Sequence, residues 1–95
     1  MQKFAFIIPP TVELLDLSGP AQVFTEAKVH GFEIGIEFYQ FSEEPISTSG
    51  LSFGNIANFK AAKLKEGDFV FVPGMDNEYV NSISFKAERA FFNWL

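Results

Sequence analysis

Phe4-Ala5-Phe6-Ile7-Ile8-Pro9-Pro10 opens the chain with an unbroken apolar run closed by two residues that cannot donate to a sheet ladder. A run without polar alternation suits a strand covered on both faces, as in a parallel sheet. Reading outward, Val12 to Leu17 fit a helical turn. Pro20 fits the first position of a new helix, with Ser18 or Gly19 as its cap. Val23, Phe24 and Ala27 give that helix an apolar stripe, and Gly31 ends it. Ile34 to Phe41 alternates like a half-exposed second strand.

Ile46 to Phe53 reads as two short extended pieces around a turn at Ser49-Gly50. Residues 55–66 are polar and Ala/Lys-rich, a short helix or loop. Gly67-Asp68 lead into Phe69-Val70-Phe71-Val72, again apolar on both faces. The last element is helical, with Ser84 as cap and Ala87, Phe91, Trp94 and Leu95 on one stripe. Phe85 and Phe92 fall off that stripe, either as an interface or as a wider buried face. Strand, helix, strand, hairpin, strand, helix is the order of an open, mostly parallel α/β sheet with helices on both faces. Three strands are few for such a sheet, and a crossover helix normally returns to a further strand. The sequence therefore predicts a truncated architecture.

Composition bounds the rest. A chain of 95 residues makes at most one small domain, one that buries roughly 60–65% of the surface its unfolded form exposes. Hydrophobic residues are 47% of it, with 13 phenylalanines, so an aromatic-rich core is expected rather than disorder. The formal charge of -5 repels phosphate backbones, which excludes direct nucleic-acid binding by this segment. Lys60, Lys63 and Lys65 are answered at once by Glu66 and Asp68, a solvated helix end. There is no cysteine, which rules out a disulfide scaffold and any thiol nucleophile within these residues. The apolar run before Pro9 is too short for a signal peptide or a membrane span. A cytoplasmic protein is the expectation, with no membrane partner and no cofactor.

Two short motifs stand out as chemistry-bearing: Leu15-Asp16-Leu17-Ser18-Gly19-Pro20 after the first strand, and Val70-Phe71-Val72-Pro73-Gly74 at the third. Strand ends with tight turns are where open α/β sheets place ligands. Taken with Ser47-Thr48-Ser49-Gly50-Leu51, these stretches resemble the ThiJ/PfpI family, which has the class I glutamine amidotransferase-like (flavodoxin-like) fold. The nearest branch holds isocyanide hydratases and the N-terminal domains of AraC-type transcriptional regulators. The resemblance covers nearly all of residues 1–95 but only about the first half of a family domain, so the chain reads as the N-terminal part of one.

The resemblance implies a site. Asp16 stands where family members carry an acidic residue close to a cysteine at a later elbow, so Asp16 is the candidate acid/base, acting only with a cysteine beyond this chain. On the residues alone, Asp16 equally suits a helix N-terminus or a solvated surface position. Glu13 falls on the same side of a helical turn and reads as surface. The family's Pro-Gly-Gly, whose N–H groups can stabilise an oxyanion, is Pro73-Gly74-Met75 here. Met75 disfavours a positive φ and narrows the approach. Asp16, Gly19, Gly74 and Met75 are thus expected to line a ligand pocket, with Gly74 and Met75 as its wall or as oxyanion donors. His30, the one histidine, suits a helix C-terminus better than a metal site. Ser18, Ser47, Ser49 and Ser52 have no base placed by motif, and no nucleophile elbow, P-loop or dinucleotide fingerprint occurs.

Three functions follow. The first is a ligand-sensing or assembly domain of an AraC-type regulator, cytoplasmic, dimeric as a whole protein, taking a small-molecule ligand and leaving DNA to a C-terminal part not present here. The second is a fragment of a cysteine-dependent isocyanide hydratase-like lyase. The third is a self-contained α/β interaction module without a ligand.

Overall fold

The computed structural model describes residues 1–41, 43–81 and 89–95. Strands β1 (Gln2–Ile8), β2 (Ile34–Gln40) and β3 (Phe69–Phe71) form one three-stranded sheet in the order β2-β1-β3. Both pairings are parallel, with Phe4 opposite Ile36 on one side and Phe69 on the other. Helix α1 (Leu14–Val29) joins β1 to β2. The long β2–β3 connection carries an isolated bridge between Ile46 and Ser52 and a 3-10 turn at Phe59–Ala61. Short helices α2 (Asn77–Val80) and α3 (Arg89–Trp94) follow β3. The α/β class and the all-parallel open sheet agree with the sequence reading.

The apolar run of β1 is the keel of the molecule. Ala5, Phe6 and Ile7 have no exposed surface. Side chains alternate along a strand, so Phe6 and Ile8 face one layer and Ile7 the other. Phe6 and Ile8 meet Val12 and Leu17, and around them pack Phe4, Ala21, Phe24, Phe53, Ile56 and Phe71. Ile7 packs with Phe41, Phe59 and Phe91, flanked by Tyr39 and Trp94. Both layers are aromatic. Phe4 stacks on Phe24 at a centroid distance of 4.2 Å, and Phe41 lies 4.3 Å from Phe91.

Three expectations need correction. The first helix is not broken at Pro20: α1 runs unbroken from Leu14 with Pro20 inside it, and Glu13 occupies the N-cap position without a side-chain cap. Leu17, Ala21 and Phe24 form one stripe over β1, and burying it outweighs the single backbone bond a proline removes. Val23, assigned to the stripe, is 65% exposed. β3 is not covered on both faces. It is an edge strand, so Phe69, Val70 and Val72 remain partly in solvent. The assignments of Ser84, Phe85 and Ala87 lie outside the described residues.

The helix stop agrees with the reading. Gly31 has φ 100. Its N–H donates to Lys28 O and that of Phe32 to Ala27 O, the paired bonds of a Schellman motif.

Asp68 ties the sheet together at its other end. Its carboxylate accepts the backbone N–H of Lys3 at 2.9 Å and of Lys65 at 2.9 Å, linking the start of β1 to the loop before β3. These bonds hold its carboxyl below the ordinary value of 3.8. A depressed folded pKa stabilises the fold above the unfolded value, and that contribution disappears as pH falls through the folded one. Asp68→Asn should therefore lower stability at neutral pH and flatten the acid limb of a stability–pH curve measured by urea unfolding below about pH 4. An acid limb that keeps its slope in the variant would assign the clamp no energetic role.

Candidate functional site

β1 is the central strand, and the chain leaves it for β2 on one side and returns as β3 on the other. The crevice beyond the carboxyl ends of β1 and β3 is therefore the topological switch point, the position that open α/β sheets use for ligands. The residues there are fixed by backbone pairing. Val12 and Met75 form an antiparallel bridge. The N–H of Glu13 donates to Gly74 O at 2.8 Å, and that of Asp76 to Thr11 O at 3.0 Å. On the far side, Ile46 N–H donates to Pro10 O at 2.9 Å and Thr48 N–H to Val12 O at 3.0 Å. The segment after β1 is thus braced from two directions before it enters α1.

This bracing puts Asp16, in the first turn of α1, directly over the bend after β3. A β-carbon added to Gly74 would overlap the Asp16 carboxylate oxygen. Gly74 is consequently a glycine of close approach, not of handedness. Neither Gly74 nor Met75 has a positive φ, so the backbone penalty anticipated for Met75 does not arise. Between the first turns of α1 and the bend after β3 lies a cleft of about 340 Å³ lined by Phe6, Leu15, Asp16, Pro20, Phe71, Val72, Pro73 and Gly74, at the small end of ligand-sized pockets.

The four expected pocket residues divide. Asp16 and Gly74 meet in the cleft. Gly19 lies beside Pro20 on α1, and a β-carbon there would meet open space. Met75 is half-buried in the bridge with Val12, outside the cleft wall. Glu13, read as a surface residue, is half-buried and accepts a hydrogen bond from Thr48 Oγ1 at 3.2 Å. It is a brace between the two turns. Ser47 is structural as well: its buried hydroxyl contacts Ser49 Oγ at 2.9 Å and accepts Leu51 N–H at 3.0 Å. His30 is the exposed C-cap residue of α1. Among the described residues, no group of His, Cys, Asp and Glu could hold a metal ion, and no helix is long and apolar enough to cross a membrane.

Leu15, Pro20, Phe71 and Val72 were not foreseen as cleft walls. The signal was available, because they belong to the same two motifs. Larger recesses lie elsewhere. One of about 610 Å³ lies between α1 and residues 53–57, walled by Leu14, Leu17, Ala21, Phe38 and Phe53, with Ser18 at its side. Another of about 480 Å³ lies beside Thr11, Thr48 and Asp76. The smaller cleft is the one at the switch point that joins both chemistry-bearing motifs. No protein-family model, curated protein or solved structure matches the chain.

Proposed function

We propose that the chain is the leading part of a ThiJ/PfpI-like ligand-sensing or assembly domain of an AraC-type transcriptional regulator, with its ligand in the Asp16–Gly74 cleft. The observation that carries the reading is the meeting of the two motifs: Asp16 rests against Gly74 although the motifs lie at opposite ends of the sheet-forming sequence. The β2-β1-β3 order supports a flavodoxin-like arrangement, in which further strands extend the sheet beyond β3. The partly exposed Phe69, Val70 and Val72 at that edge favour such an extension and a dimeric whole protein. A formal charge of -5 supports a division of labour in which another segment contacts DNA.

A second reading, an isocyanide hydratase-like enzyme fragment, is favoured by one feature. The Asp16 carboxyl is exposed at the cleft, within reach of a substrate or of a thiol brought to it. These 95 residues contain no cysteine, so the sulfur would have to come from elsewhere in that enzyme.

The reading frame separates the two. The regulator reading expects it to continue past Leu95 into the rest of the α/β domain and then a basic region with two helix-turn-helix units. A frame that supplies a cysteine at the next strand-to-helix elbow and closes after one α/β domain would favour the enzyme.

A further inference from the structure

We propose that the Asp16–Gly74 cleft selects a ligand with a planar cationic head, of the amidinium or guanidinium class, on a compact apolar body. This rests on reading the cleft as a ligand site and adds the chemistry of what enters. The walls Leu15, Pro20, Phe71, Val72 and Pro73 offer no charge, and among the described residues no lysine, arginine or histidine lines the cleft. The one ionisable group among the described lining residues is the Asp16 carboxylate. Among the described residues the ion pair is Lys3 with Glu37, on the opposite rim of the sheet, and no hydrogen bond engages the Asp16 side chain.

The Asp16 carboxylate itself offers two acceptor oxygens. Two oxygens of one carboxylate match a forked, planar donor better than a single-point ammonium. The adjacent prolines and Val72 match a flat apolar body. The surplus of carboxylates over the whole chain raises the local concentration of cations and lowers that of anions.

The test is a titration of the isotope-labelled 95-residue chain, followed by amide chemical shifts, with benzamidinium, benzyl alcohol and benzoate as probes of one shape and three charges. Benzamidinium should move the amides of Leu15, Asp16, Gly74 and Met75, benzyl alcohol should do so more weakly, and benzoate should not. Asp16→Asn should weaken the benzamidinium response by about three- to tenfold, the range for a charge-assisted bond in a solvent-screened site. Asp16→Glu should keep part of it, and added salt should weaken it. If benzyl alcohol matches benzamidinium and Asp16→Asn changes nothing, the charge preference is overturned while the cleft stands as a ligand site. If no probe moves these amides, the cleft itself fails as a ligand site. Should Asp16→Asn not fold, the ranking of the three probes on the unaltered chain decides alone.

Discussion

Phe6→Ala should leave the chain largely unfolded at physiological temperature. Phe6 has no exposed surface and sits at the centre of the aromatic layer between the sheet and α1. Its ring lies 5.3 Å from Phe71, 5.4 Å from Phe38 and 6.2 Å from Phe24, so one side chain bridges all three strands and α1. Truncating a buried phenylalanine costs about 3–5 kcal/mol. The whole stability of a chain this size is roughly 5–14 kcal/mol, and small domains sit low in that range. The loss is therefore most of what holds the molecule together. Circular dichroism during urea unfolding measures it. Phe32→Ala is the control, because Phe32 is 67% exposed and its truncation should cost no more than about 0.5 kcal/mol. Equal midpoints for the two variants would contradict the packing described for β1.

Pro20→Ala has the opposite sign and should stabilise the chain substantially. A proline inside a helix costs about 3 kcal/mol relative to alanine. Part of that is returned, because proline also restricts the unfolded chain by about 0.4–1 kcal/mol. The net gain is then about 2 kcal/mol, or roughly 10 °C in Tm for a domain of this length. The same substitution restores a helical N–H and removes a cleft wall. Stability should rise while benzamidinium binding falls, the exchange expected where a local rule is broken at a functional place. A Tm that is unchanged or lower would mean that packing of the proline ring outweighs the missing hydrogen bond, and would remove the reason to treat residue 20 as part of a site.

Pro20 also marks the limit of what local patterns disclose. Proline and glycine in sequence argue for a break between residues 18 and 20, and by propensity alone that is sound. The continuous helix exists because Leu17, Ala21 and Phe24 share a face over β1, a tertiary gain that propensity does not contain. β1 itself was legible because full burial on both faces writes five apolar residues in succession. Gly31 was legible because a left-handed helix end is close to glycine's exclusive territory. β3 misled for a related reason: its residues are as apolar as those of β1, but sequence does not say which strand is the edge.

The site was half legible. The two motifs stand out locally, and the resemblance they carry assigns roles. Their meeting depends on strand order, a long-range property. Gly74 illustrates the difference. Its neighbour Met75 drew attention as an obstacle to positive φ, whereas the structure needs glycine at 74 for proximity to Asp16 with ordinary backbone angles. Glu13 read as a surface residue and Thr48 as one member of a turn, because only the bracing of the 9–13 segment from both sides brings them together.

The contact between Asp16 and Gly74 underlies the cleft, the proposed function and the ligand chemistry alike. A nuclear Overhauser spectrum of the labelled chain reads it directly. Strong cross-peaks between the Asp16 β-protons and the Gly74 α-protons, alongside Val12–Met75 peaks across the bridge, are the predicted result. Asp16 β-protons that show cross-peaks only within α1, with none to residues 73–75, would contradict it.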